Sequence, residues 1–309
     1  MRGMEPQILV GTDGGIRSFG SAENSADALA GHTVTALAHD GPRTWAIVGG
    51  RTLYSSEDRH EWTARASVDG EAEATCLAPT STGLYVGTEG AHLRRLRADR
   101  LAPLESFETV DGRKAWYTPW GDPADVRSIA AERGDAGAIY VNVHVGGVVR
   151  SRDGGGSWTP TLDIDVDVHQ VLVHPLRHGV VLVAAADGLG VSRDGGESWE
   201  FLTSGLHGTY LRAVAVAGDT VLVTASTGPG GTRAAVYRWP LDGAVRFERC
   251  TRGLPEWFRG NIDTACLVAS GAVAVFGTAD GRVFQSSDGG ARWELVAKGL
   301  PDIRCVVVG

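Results

Sequence analysis

The chain has 309 residues, and its 37 Asp and Glu outnumber its 29 Lys and Arg, which gives a formal charge of −8. This acidic balance excludes the broad basic surface that nucleic acid or an anionic membrane requires, so we expect neither as a partner. The chain is long enough to bury a large core, and we expect a single domain over residues 1–309.

A short apolar strand pattern recurs seven times along the chain. The copies begin at residues 34, 74, 126, 168, 211, 262 and 303, as VTALA, ATCLA, VRSIA, VHQVLV, LRAVAV, IDTACLV and IRCVVV. Their spacing of 40 to 52 residues is typical of a four-stranded propeller blade. A second apolar run that ends in glycine follows most copies, as in LYVGTEG (84–90) and VAVFGTADG (273–281). The sequence therefore predicts an all-β fold, a seven-bladed β-propeller of four-stranded blades.

The two ends of the chain complete one blade between them. The last copy, IRCVVV, has no second strand after it, whereas the first residues carry the strand-like run QILVGTDGG (7–15). Pairing of these two segments removes the free sheet edges that an open ring would expose. We therefore expect the N- and C-terminal segments to close the ring within one blade.

A turn motif, S-x-D-G-G-x-x-W, occurs three times, at Ser151–Trp158, Ser192–Trp199 and Ser286–Trp293. A fourth segment, Ser55–Trp62 (SSEDRHEW), keeps the Ser and Trp but has neither glycine. In such a hairpin the Asp carboxylate accepts hydrogen bonds from turn amides, glycine adopts positive φ, and the Trp packs over the turn. The pattern indicates a structural role for these Asp residues.

The motif resembles the Asp-box, or BNR, repeat of sialidases and related propellers. Three further segments, WYTPWGDP (116–123), VNVHVGG (141–147) and DVDVHQVLVHP (165–175), resemble a bacterial group of BNR-like propeller proteins within the WD40-, YVTN- and BNR-like superfamily. This resemblance covers most of the chain and implies the propeller fold. It implies no particular chemistry.

Sialidase activity is not expected from the motifs present. The resemblance would imply an arginine triad, a Tyr–Glu nucleophile pair and an arginine motif of the (F/Y)R(I/L)P type before the first Asp-box. The similar string here, Tyr237–Pro240 (YRWP), follows three boxes and has Trp at the aliphatic position. Xyloglucanase-like glycosidases pair two such propellers, whereas this chain has the length for one. A photosystem assembly factor of similar architecture holds a protein partner on its top face.

Polar residues align at one height of the seven inner strands, where alternate side chains face the central channel. Three of them are arginines, which suit carboxylate and phosphate groups because the guanidinium donates two parallel hydrogen bonds. We predict that Arg127, Arg212 and Arg304 bind an anionic group. The alternative is that Asp263 pairs with a neighbouring arginine in a water-filled channel. The aligned residues are Thr35, Thr75, Arg127, His169, Arg212, Asp263 and Arg304.

Histidines and aromatic residues add further candidates near the same end of the blades. His144 and His169, with Asp165 and Asp167, could bind a divalent metal or act as general acid–base groups. No HxH or HxxxH spacing supports a metal, so metal and cofactor identities are not predicted. Trp120, in a long connection over residues 97–125, is a candidate for stacking on a sugar ring. The candidate catalytic residues are His169, His144, Asp263 and Tyr210, and His207 and Trp120 join the three arginines as candidate ligand-binding residues.

Three functional hypotheses follow from these residues. The first is a propeller that binds a small anionic or carbohydrate-like molecule in a pocket at the top of its channel. The second is a glycosidase- or lyase-type enzyme that uses the same pocket, and the third is a scaffold for a protein partner. The N-terminus shows no secretory signal and the four cysteines lack CxxC spacing, so we expect a cytoplasmic protein with reduced thiols.

Overall fold

The computed structural model describes residues 7–20, 27–118, 120–132, 134, 137–243 and 246–309. Its residues form two compact units, one of Met1–Gly49, Tyr54–Ala64 and Thr203–Gly309, the other of Gly50–Leu53 and Arg65–Leu202. Among the described residues, no helix is long and apolar enough to cross a membrane. The single domain expected over 1–309 stays a prediction.

Nearly all regular structure is β, and it forms seven antiparallel sheets that are the blades of a seven-bladed propeller. The closing sheet has the order β2-β1-β27, with β1 Ile8–Thr12, β2 Gly15–Phe19 and β27 Ile303–Val308. An isolated bridge joins Ile16 of β2 to Ala28. The predicted fold and the predicted pairing of the chain ends are both confirmed.

The other six sheets have four strands each, in chain order. The first is β3 Val34–Asp40, β4 Arg43–Val48, β5 Thr52–Ser56 and β6 Thr63–Ser67. The second is β7 Ala74–Thr80, β8 Gly83–Thr88, β9 Leu93–Arg97 and β10 Arg100–Pro103. The third is β11 Val126–Ala131, β12 Ile139–Val143, β13 Val148–Ser151 and β14 Thr159–Leu162.

The remaining blades follow the same arrangement. The fourth is β15 Val168–Val173, β16 Val181–Ala185, β17 Gly188–Ser192 and β18 Glu200–Leu202. The fifth is β19 Tyr210–Ala217, β20 Thr220–Ser226, β21 Ala235–Pro240 and β22 Glu248–Arg249. The sixth is β23 Leu267–Ser270, β24 Val273–Gly277, β25 Val283–Ser286 and β26 Glu294–Ala297.

Short helices interrupt the connection that the sequence assigned to residues 97–125. Strand β10 occupies Arg100–Pro103, so the connection to the next blade is shorter than expected. It contains the helix α1, Glu105–Glu108, and a 3-10 turn at Arg113–Ala115. A second 3-10 turn lies at Glu89–Ala91.

A bulge at the start of the inner strands fixes neighbouring blades to each other. The residue at this position has no partner in the register, as at Thr75, Arg127 and His169. The carbonyl just before the bulge is then free to accept a hydrogen bond from the preceding blade. Val168 accepts one from Asn142 Nδ2 at 2.9 Å, and Val126 accepts one from the Thr75 hydroxyl.

Three of the four cysteines make a similar contact between blades, to the carbonyl that precedes a bulge. Their thiols lie 3.6–3.7 Å from the carbonyl oxygens of neighbouring inner strands, as weak donors. All four cysteines are free, and burial raises the pKa of Cys76 and Cys305 to about 12. These thiols therefore stay protonated and structural. The pairs are Cys76 with Val126, Cys266 with Ile303 and Cys305 with Val34.

The S-x-D-G-G turns form compact hairpins in which the aspartate accepts hydrogen bonds from the turn. In one, Asp194 accepts from the Glu197 and Ser198 amides at 3.0 Å and from the Ser192 hydroxyl at 2.8 Å. Gly195 follows with φ +74°, and its carbonyl accepts a hydrogen bond from the Tyr140 hydroxyl of the preceding blade at 3.1 Å. These hydrogen bonds within the turn are the ones expected of aspartates with a structural role.

The fourth turn begins one residue later than its sequence indicates. Ser56, not Ser55, donates to Asp58, and Asp58 accepts from the His60 and Glu61 amides at 2.9 Å. Arg59 takes the place of the first glycine and has φ +67°. The turn is one residue shorter, which is why the Ser–Trp spacing is misleading.

Candidate functional site

Two histidines and an aspartate converge where two adjacent blades meet. His144 Nε2 lies 3.1 Å from Asp167 Oδ1, and His169 Nε2 lies 3.3 Å from Asp167 Oδ2. The three side chains offer ligand atoms that all lie within 4.8 Å of one another. His169 is fully buried and His144 nearly so, whereas the Asp167 side chain is 33% exposed. Solvent therefore reaches the cluster from the side of the carboxylate.

Local backbone structure places each of these side chains. His144 follows β12, and its amide donates to the Asp125 carbonyl at 2.8 Å. Val145, at φ +50°, then turns the chain towards β13. His169 occupies the bulge of β15, so its side chain does not follow the normal alternation of the strand. The Asp167 carbonyl accepts from the Ala186 amide at 3.0 Å, which fixes the approach to β15.

Opposing influences set the ionisation of the carboxylates around the cluster. Burial would raise the pKa of Asp167, but the adjacent imidazoles of His144 and His169 hold it well below its usual range. Burial raises the pKa of Asp125, with Glu89 adding to the shift and Arg127 opposing it. The surroundings of the two histidines are therefore formally more acidic than basic.

Trp120 lies over this cluster as an exposed aromatic surface. Trp120 is 62% exposed. Its ring centroid lies 5.3 Å from that of His144, at an interplanar angle of 45°. A large exposed indole beside buried polar groups is an arrangement suited to stacking on a sugar ring or a planar ligand. The structure thus brings together His144, His169 and Trp120 of the candidates.

A second group of candidates forms an ion pair within the other compact unit. Arg212 Nε and Nη2 both lie 2.6 Å from Asp263 Oδ1. Arg212 Nη1 also donates to the Tyr210 hydroxyl at 3.3 Å. The sequence raised the alternative that Asp263 pairs with a neighbouring arginine, and the Arg212–Asp263 ion pair is such a contact.

Arg304 is committed in the same way. Its Nε and Nη2 donate to the two carboxylate oxygens of Asp13 at 2.8 Å, and this contact lowers the pKa of Asp13. Asp302 lies 3.4 Å from the same guanidinium. An anionic ligand at Arg212 or Arg304 would have to displace a resident aspartate.

The aligned ring needs one correction, at Asp263. The Gly277 amide donates to the Cys266 carbonyl, which makes Cys266 the equivalent of Cys305, the partner of Gly11. Ala265, at φ +64°, therefore stands at the ring position, and Asp263 lies two residues earlier in the chain. The sequence alignment failed here because an extra turn precedes β23.

His207 packs against the aromatic residues Tyr237 and Trp257. Its Nδ1 lies 2.9 Å from the Tyr237 hydroxyl, and its ring centroid lies 4.7 Å from that of Trp257. Burial lowers its pKa. Arg249 lies over the same Trp257 ring at 3.7 Å, so the described contacts of His207 are those of a packed side chain.

No family model matches the chain, and no curated protein does. Many solved structures do. The chain aligns with an ancestral GH74 enzyme at 16% identity and a TM-score of 0.64, over 86% of this chain and 39% of the enzyme. It aligns with the GH74 xyloglucanase from Xanthomonas campestris at 13% identity and a TM-score of 0.59, over 94% and 46% of the two chains. It thus spans less than half the length of either enzyme.

A third match covers almost the whole of both chains. It is YCF48 bound to D1 peptide, with 13% identity, a TM-score of 0.58, and 99% of this chain against 88% of the other. At such identities these likenesses establish the propeller fold alone.

Proposed function

We propose that this chain is a BNR-type propeller that binds a small anionic or carbohydrate-like molecule at the end of the blades where His144 and His169 lie. The observation that carries the proposal is the convergence of an exposed Trp120 with the His144–Asp167–His169 cluster. An aromatic face beside polar and ionisable groups provides both stacking and orientation for a polar ring. Arg127, on the inner strand of the same blade as His144, supplies the cation for an anionic substituent.

Two further points support this assignment. The repeated Ser-Asp-Gly-Gly turns, with their matching hydrogen bonds, are those expected of Asp-box hairpins. The solved structures with similar folds include an enzyme named as a xyloglucanase. A cytoplasmic location, in keeping with four free cysteines, remains part of the proposal.

The proposal is tested by titrating the purified chain with glucuronic acid, inorganic phosphate and a neutral xyloglucan oligosaccharide, each with zinc present and with EDTA present. Trp120→Ala removes the stacking face. For whichever compound binds the wild type, this substitution should raise the dissociation constant about tenfold, equivalent to about 1.4 kcal/mol. Arg127→Gln should weaken only the acidic compounds. Calorimetry gives the dissociation constants directly.

Leu176→Ala is the matched control, because Leu176 is 81% exposed and follows β15 at the opposite end of the same blade. Its binding should equal that of the wild type. Binding that Trp120→Ala leaves unchanged would place the ligand elsewhere. Absence of binding by all three compounds would favour a protein partner on this face, and turnover of the oligosaccharide would favour the enzyme hypothesis.

A further inference from the structure

The spacing of the ligand atoms in the His144–Asp167–His169 cluster matches a metal centre. In a tetrahedral zinc site, with zinc–nitrogen and zinc–oxygen distances of about 2.0–2.1 Å, neighbouring ligand atoms are about 3.3 Å apart. The two nitrogen–oxygen distances of the cluster are 3.1 and 3.3 Å. One ligand atom from each of the three residues lies within 4.8 Å of the other two.

The approach of His144 to Asp167 is close. Asp167 Oδ1 accepts no hydrogen bond from the described residues, although His144 Nε2 lies 3.1 Å away. His144 Nε2 and His169 Nε2 thus approach the two different oxygens of one carboxylate. Such convergence of two imidazoles and one carboxylate is the donor set of many zinc and other divalent metal sites.

The charges around the cluster favour a cation over an anion. Glu89, Asp125 and Arg127 interact electrostatically at this place. With Asp167 they amount formally to three negative charges and one positive charge. A bare anion is therefore disfavoured at the two histidines, whereas a divalent cation compensates the acidic excess and then itself attracts an anion.

We propose that His144 Nε2, His169 Nε2 and a carboxylate oxygen of Asp167 bind one zinc ion, and that its open coordination position takes an oxygen atom of the ligand. Three protein ligands leave such a position in zinc sites that act on other molecules. Solvent access past Asp167 and the neighbouring indole of Trp120 place that position beside the stacking face. The ligand half of the inference rests on the proposed function, whereas the zinc half does not.

The test uses the full chain, stripped with EDTA, dialysed and titrated with Zn²⁺ alone in a calorimeter. One ion should bind per chain. Asp167→Asn should lower the affinity at least tenfold, because it removes the anionic ligand while keeping the side-chain shape. His178→Gln should bind as the wild type does, because His178 is 89% exposed and reports non-specific binding to surface histidine. Equal affinity in Asp167→Asn and the wild type would overturn the site.

A second measurement needs no variant and therefore survives a folding defect in Asp167→Asn. Co²⁺ in place of zinc should give the intense visible absorption of a four- or five-coordinate ion with nitrogen ligands. A spectrum identical to that of aqueous Co²⁺ would overturn the proposal. Zinc binding without binding of any organic compound would refute only the proposed function. Ligand binding of equal strength in EDTA would refute only the inference that the ligand occupies the open coordination position of the zinc ion.

Discussion

His39 is a single residue whose ionisation should be visible in the stability of the protein. Its ring lies in β3, with Nδ1 3.0 Å from the Thr44 hydroxyl. Burial, with the nearby charge of Arg59, lowers its pKa to about 4. The folded protein therefore keeps His39 neutral at a pH where the unfolded chain, with a pKa of about 6.5, is protonated.

The free energy of unfolding should be highest above pH 6.5 and should fall as the pH drops from 6.5 to 4. In this range the unfolded state binds a proton at His39 and the folded state does not. The free energy of unfolding therefore falls by at most about 3 kcal/mol, and by less where solvent screens the charge of Arg59. Urea denaturation at several pH values measures the slope. It should become shallower in His39→Asn and stay unchanged in His32→Asn, at an exposed histidine. An unchanged slope in His39→Asn would contradict the prediction.

At the level of the single element, the hairpin turns depend on residues in the left-handed region of φ. Gly195→Ala places a Cβ at φ +74°, which should lower the free energy of unfolding by about 1–2 kcal/mol. The space itself is not limiting, because the added Cβ would lie 3.4 Å from the Tyr140 hydroxyl. Chemical denaturation of the variant checks the value.

Gly230→Ala is the control for this substitution. Gly230 lies outside the left-handed region, and no atom lies within 4 Å of an added Cβ. Its variant should be as stable as the wild type or slightly more so, because alanine restricts the unfolded chain. Equal destabilisation by both variants would mean that the turn conformation is not the cause.

The same hairpins show which features a sequence carries and which it does not. A turn is local, so its Ser, Asp and Gly recur at fixed offsets and predict its structure. The register of the fourth turn was missed, since Arg59 adopts a conformation that the pattern reserves for glycine. Strand β10 was missed too, within a connection rich in charged residues.

Contacts between blades are non-local, and the candidate site depends on them. The sequence indicated His144 and His169 through neighbouring motifs, but not the acidic surroundings that Asp125 contributes. It left open whether Arg212 is available to a ligand or already paired. The 2.6 Å contact joins Arg212 to Asp263, which lies 51 residues later in the chain and belongs to the next blade. The inner-strand height of a residue follows from repeat spacing, whereas its partner follows from the packing of the next blade.

Ring closure is a property of the whole molecule and rests on one strand. Strand β27 pairs with β1 and contacts β3 and β24. Its residues Ile303, Cys305 and Val306 are buried. Each such apolar side chain contributes about 1.5–3 kcal/mol on burial, so their sum is comparable with the total stability of a domain. Removal of the strand would also leave β1 with an unpaired edge.

Deletion of Ile303–Gly309 should therefore give a chain that self-associates or loses its cooperative urea transition, as size-exclusion chromatography and fluorescence would show. A synthetic peptide of residues 303–309 should restore the monomer by adding the missing strand, and the same peptide with Pro at position 307 should not, because Val307 pairs with Leu9 of β1 and proline cannot donate to this ladder. Arg304→Ala, which removes the partly exposed ion pairs with Asp13 and Asp302, should cost less than about 1 kcal/mol. A truncated monomer that unfolds at the same urea concentration as the full chain would show that closure does not depend on β27.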